Sequence, residues 1–83
     1  MLSLSLQSPK EVARDLAHRV KRLRLERGWT QEETAERAAI KLATYRRFEA
    51  TGLISLERLL RLAVVFDALS QFDALFRAPP PAT

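Results

Sequence analysis

Three helix-start signals, at Ser8, Thr30 and Ser55, cut this chain into short helices before any other property is considered. In Ser8-Pro9-Lys10-Glu11 the serine can cap, the proline suits the first helical position, and Glu11 can reach back to the cap backbone. Thr30 and Glu33 repeat the same box, and Ser55 precedes a leucine-rich run. Between these starts, apolar residues recur at three- and four-residue spacing, the period of a helix with one inward face. Val12, Ala13, Leu16, Val20 and Leu23 mark a first helix over about 9–27, with Gly28 just past its end. A second helix, 31–38, has the small inner residues Thr34, Ala35 and Ala38. Ala39-Ile40-Lys41 interrupts, and a third helix runs 42–50 before Gly52. Leu56, Leu59, Leu60, Ala63, Val64 and Phe66 give a fourth helix at 56–67, and Ser70 can cap a fifth at 71–76. Connections this short imply a compact all-α domain of five helices over 9–77. Residues 1–8 then form an extension, and Pro79-Pro80-Pro81 makes 78–83 an extended tail.

The extension has its own pattern. Leu2, Leu4 and Leu6 alternate with Ser3 and Ser5, the period of a strand. A lone strand leaves its backbone unpaired. The segment is therefore either a frayed tail or one half of a two-stranded ribbon made with a second copy.

Composition narrows the classes of function. At 83 residues with 47% apolar content the chain is one small domain, and dimerisation would help a core this thin. With no cysteine there is no disulfide framework and no thiolate metal site. The start of the chain lacks the features of a secretory signal and no run reaches the ~20 apolar residues that cross a bilayer, so the chain reads as soluble and cytoplasmic. His18, the single histidine, sits beside Arg19 on a surface face. Glu32, Glu33 and Glu36 look like a carboxylate cluster, but the first two simply complement a helix N-terminus. No catalytic residues, metal ligands or cofactor loop can be assembled, so the reading is that the protein is not an enzyme. Fourteen Lys and Arg against ten Asp and Glu give a net charge of +4, which suits an anionic partner.

That charge is concentrated. Two short helices flank a three-residue turn over 31–49, with Ala35 small where they must cross and Ile40 apolar in the turn. This is the spacing of a helix-turn-helix, whose second helix can lie in the major groove. With Tyr45 at the centre of the buried side, steps of 100° put Ala43, Arg47 and Ala50 nearly opposite, and Arg46 and Thr44 on the flanks. Lys41, Arg46 and Arg47 lie within 41–47 with no acid among them. An outward Arg47 can pair with guanine, with Leu42, Ala43 and Thr44 near base edges. Gln31, Lys41 and Arg46 are placed to hold phosphates. The later half of the first helix is also basic, at Arg19, Lys21, Arg22, Arg24 and Arg27, and reads as a solvated face or a phosphate-facing one.

The run Arg22 to Arg37, continuing through Phe48-Glu49 and the leucine-rich fourth helix, resembles the lambda-repressor-like (Cro/C1, or XRE) domains over about 12–69. The resemblance implies a five-helix, dimeric, operator-binding fold. It also implies a structural pair between an arginine late in helix one and a glutamate late in the recognition helix, here Arg24 and Glu49. Two positions of the turn depart from the family pattern. Ala39 stands where glycine is usual, at a cost of about 1 kcal/mol if its backbone is left-handed. Lys41 replaces the usual capping residue, losing roughly 1 kcal/mol. Ala43 stands where relatives often carry a polar reader and offers only a methyl contact to thymine.

The C-terminal side, Arg47 to Leu60 and then Phe72-Asp73-Ala74-Leu75-Phe76, is similar to the small repressors paired with HipA-type kinases, the HipB-like antitoxins. That likeness implies repression of its own operon and a kinase toxin as partner. Leu69, Phe72, Leu75 and Phe76 are the expected dimer surface, with Leu2, Leu4 and Leu6 as an addition. An interaction module that inhibits a partner without reading DNA specifically is the competing expectation.

Overall fold

A computed structural model describes residues 7–81. Among them are four α-helices and one 3-10 helix, with no strand. The order is α1 (Pro9–Glu26), α2 (Gln31–Arg37), α3 (Leu42–Thr51) and α4 (Leu56–Val65), followed by the 3-10 helix Leu69–Ala74. The all-α, five-helix class is as expected. Leu2, Leu4 and Leu6, and with them the ribbon, lie outside the described residues.

The starts are made by the signals read above. Ser8 accepts from Glu11 N–H while the Glu11 carboxylate accepts from Ser8 N–H, and Thr30 and Glu33 do the same. Ser55 accepts from Arg58 N–H. Lys41 starts α3 without any side-chain cap.

The ends of α1, α2 and α4 share one device. At α1, Gly28 N–H donates to Leu25 C=O and Trp29 N–H to Arg24 C=O. At α2, Ala39 N–H donates to Glu36 C=O and Ile40 N–H to Ala35 C=O. At α4, Asp67 N–H donates to Val64 C=O and Ala68 N–H to Ala63 C=O. This is the paired C-terminal bond of a Schellman motif, which needs one left-handed residue. Gly28 supplies it at no steric cost, but Ala39 and Asp67 both hold φ +56°, a conformation uphill for residues with a Cβ.

The last helix differs from expectation. The chain predicts an α-helix at 71–76 capped by Ser70, whereas a 3-10 helix spans Leu69–Ala74 behind Ala68, with no side-chain cap. Only seven residues, Ala68 to Ala74, lie between the left-handed Asp67 and the extended Leu75. Such a length favours the tighter bonds seen here, Gln71 N–H to Ala68 C=O and Leu75 N–H to Phe72 C=O.

The core lies where α1, α2, α3 and α4 converge. Tyr45, Phe48 and Leu62 are fully buried at its centre, with Ala17, Ala35 and Ala38 where helices cross closely. Each large side chain contributes roughly 1.5–3 kcal/mol by burial. α3 is pinned between α1 and α2, so its inner face has little freedom. Its C-terminus comes closest: a Cβ added to Gly52 would stand 2.7 Å from the carbonyl carbon of Ala13, and Gly52 itself has φ +82°.

Candidate nucleic-acid interface

The second helix of the helix-turn-helix is held by one carboxylate. Glu49 receives Arg24 Nε at 2.7 Å and Arg24 Nη2 at 3.2 Å, Gln31 Nε2 at 3.0 Å, and a short bond from the Tyr45 hydroxyl. Arg24 Nη1 donates in addition to Trp29 C=O at 2.8 Å. The Glu49 side chain is only 4% exposed, so an unpaired charge there would be costly. Burial pushes its carboxyl up, but the bonds from Arg24, Tyr45 and Gln31 outweigh it and hold it below the usual carboxylate range. The same carboxylate raises Arg24 still further above its ordinary value. Burial, reinforced by Glu49, pushes the Tyr45 hydroxyl well above the usual phenol. The group is fully satisfied: no buried side-chain polar atom among the described residues lacks a partner. Its work is to fix α3 against α1 and α2.

With Tyr45 and Phe48 turned inward, α3 presents Ala43, Arg46, Arg47 and Ala50 to solvent. Thr44 is half-buried, and Leu42 packs against the core, which leaves the leucine less of its surface for a base edge. Lys41 is exposed beside them. Gln31 is half-buried with its amide on Glu49, leaving one amide hydrogen for a phosphate.

Beside this face runs an open groove lined by Lys41, Thr44, Arg47, Leu53, Ile54, Ser55 and Arg58. It contains three cations and no carboxylate. Among the described residues, none of the three has an acidic partner within salt-bridge distance. Arg58 is a cation that sequence reasoning missed. It lies on α4, and only the turn after Gly52 swings it against α3; its Nη1 rests 3.3 Å from Ser55 Oγ. The signal available beforehand was its position three residues after the Ser55 cap.

The other basic residues are placed differently. Arg27 Nη1 donates to Val65 C=O at 3.0 Å, and its guanidinium lies 5.2 Å and 5.0 Å from the Trp29 and Phe66 ring centres. Arg37 stacks on Trp29 at 4.2 Å, and Arg61 Nη1 donates to Ala39 C=O at 3.0 Å. Arg24 is taken up by Glu49, the pairing the resemblance implies, and Arg27 is held by Val65 C=O while still exposed. Arg19, Lys21 and Arg22 remain exposed, as does His18.

Away from the basic face, an apolar groove of about 610 Å³ lies between α1, α4 and the 3-10 helix, lined by Leu16, Leu23, Leu59, Phe66, Phe72 and Leu75 among others. Leu69 and Leu75 are about half exposed, Phe72 is half-buried, and Phe76 stands 98% exposed. No helix among the described residues is long and apolar enough to cross a membrane, and no group of His, Asp or Glu is arranged to hold a metal ion.

A cradle of helices that offers one basic, outward helix is the architecture of a helix-turn-helix DNA-binding domain. A family model described as helix-turn-helix matches residues 20–70, more than half of the chain. The chain belongs to that family, the XRE-type or lambda-repressor-like one, and is a DNA-binding transcriptional regulator. Among curated proteins none matches the chain.

Proposed function

We propose that the protein is a dimeric, sequence-specific repressor that lays α3 in the major groove of a near-palindromic operator. The observation that carries this reading is the convergence of Lys41, Arg47 and Arg58, all without acidic partners, on the groove beside an otherwise small-residue helix face. Arg47 reads bases, with Ala43 and Thr44 close to base edges and Leu42 at the margin. Lys41, Arg46 and Gln31 hold phosphates. Leu69, Phe72, Leu75 and Phe76 join two copies, so that two half-sites lie about 34 Å apart, one turn of DNA. Binding of duplex DNA from upstream of its own gene, set against random duplex of equal length, tests the reading. A preference of at least about a thousandfold is expected of a specific regulator. Equal affinity for both would refute it.

The likeness of residues 47–60 and 72–76 to HipB-like antitoxins extends the proposal to an autoregulating antitoxin of a toxin–antitoxin operon with a HipA-type kinase as second partner. The apolar groove and the exposed Phe76 favour a protein partner on that side of the molecule. They equally favour the alternative, a module that inhibits a partner such as a kinase without reading DNA. A kinase reading frame adjacent to the gene, whose product co-purifies with this chain, is the expected finding for the antitoxin.

A further inference from the structure

The turn between α2 and α3 is built from residues that do not favour it. Ala39 holds φ +56°, where an alanine pays about 1 kcal/mol or more, and Lys41 begins α3 with no side-chain cap. Yet this turn sets the angle at which α3 leaves α2. The carbonyl of the strained residue meets a partner from outside the motif: Arg61 Nη1, on α4, donates to Ala39 C=O at 3.0 Å. Arg61 has one acidic neighbour, Glu57, at 3.7 Å on its own helix with both side chains exposed, a pair too loose and solvated to account for its placement. We infer that Arg61 is a positioning residue for DNA recognition, clamping the left-handed turn at Ala39 so that α3 is presented at the binding angle. The inference rests on the operator reading above.

The physical route is a population. Without the clamp, the turn relaxes toward conformations that alanine prefers, the binding-competent fraction falls, and apparent affinity falls with it. A glycine in place of Ala39 enters the left-handed region without a Cβ penalty, so it needs the clamp less.

A four-protein cycle tests this: the natural chain, Arg61→Ala, Ala39→Gly and the double variant. Each is titrated with duplex from upstream of its own gene over a salt series, below every protein's melting range, and each is unfolded in urea. Arg61→Ala is expected to weaken duplex binding about fivefold, the worth of one ordinary, solvent-exposed hydrogen bond. The slope of log Kd against log salt should stay unchanged. In the Ala39→Gly background the same change should cost less than about twofold. Equal losses in both backgrounds, no loss at all, or a slope reduced by about one, which marks a phosphate contact, would each overturn the inference. Glu57→Gln should leave binding as it is; if it reproduces the Arg61→Ala loss, the ion pair and not the turn is what matters. Should Arg61→Ala fail to fold, Arg61→Lys takes its place under the same requirement. If the natural chain shows no preference for its own upstream duplex, the operator reading fails. The urea cycle then decides alone, with additive losses at 61 and 39 refuting the clamp and coupled losses supporting it.

Discussion

Arg24 and Glu49 stand 25 positions apart in the chain and meet through two bonds, at 2.7 and 3.2 Å, with their side chains 9% and 4% exposed. They join the last turn of α1 to the last turn of α3. The pair therefore fixes the helix that carries Arg46 and Arg47.

Removing either partner leaves the other buried and uncompensated. Arg24→Ala or Glu49→Ala should each destabilise the fold by about 3–5 kcal/mol in urea unfolding. The exposed Arg77–Asp73 pair, at 2.9 Å, gives the contrast: Asp73→Ala should cost no more than about 1 kcal/mol.

Acid should weaken the fold through the same carboxylate. Glu49 titrates below its ordinary value of 4.5 in the folded chain, so the unfolded chain takes up its proton first as pH falls. Glu33 is lowered as well, by the backbone and hydroxyl of Thr30. Their stabilisation is complete above about pH 5.5 and is lost as pH drops through the folded values. Urea midpoints should hold level from pH 7 to about pH 5.5 and then decline. Glu49→Gln, though less stable, should show a shallower decline.

The two glycines should respond unequally. Gly28→Ala meets open space and suffers only the backbone term at φ +70°, about 1–2 kcal/mol. Gly52→Ala adds contacts of 2.7–2.9 Å with the backbone of Ala13 and Arg14 to a φ of +82°, and backbone cannot move aside as a side chain can. The loss should exceed that of Gly28→Ala by at least about 2 kcal/mol, read from paired thermal melts.

On DNA, the two adjacent arginines should separate. Arg47→Ala is expected to cost about 1–3 kcal/mol on the preferred duplex and to relax the choice of sequence. Arg46→Ala should weaken all duplexes alike and lower the salt slope by about one. Unchanged selectivity after Arg47→Ala would remove it from base reading.

The apolar side can be tested by mass. Phe76 is 98% exposed, so Phe76→Ser takes nothing from the core of one protomer. Sedimentation should show a dimer for the natural chain at micromolar concentration and a shift toward monomer for the variant, with circular dichroism unchanged.

What could be read from the chain divides along physical lines. Helix starts were legible because a capping box is a local contract between residues three apart, and Ser8–Glu11 and Thr30–Glu33 both honour it. The inward Tyr45 and Phe48 followed from periodicity. Helix exits were legible only at glycine: Gly28 announced itself, whereas Ala39 and Asp67 adopt the same backbone sign without the residue that advertises it. The terminal helix, expected as α over 71–76 behind Ser70, is a 3-10 helix over Leu69–Ala74 with no side-chain cap, and apolar spacing over six residues does not tell the two apart. Arg58 was overlooked because its neighbours, Lys41 and Arg47, are brought to it by a turn and not by spacing. Arg27 and Arg61 look from composition like free surface charge, and their carbonyl partners lie 38 and 22 positions away.

α3 divides its labour by face. Tyr45, Phe48 and Glu49 hold the scaffold, while Ala43, Arg46, Arg47 and Ala50 touch nothing that the fold requires. Substitutions on that outer row can therefore accumulate at little cost to stability, and the chemistry of this face can change while the architecture stands still.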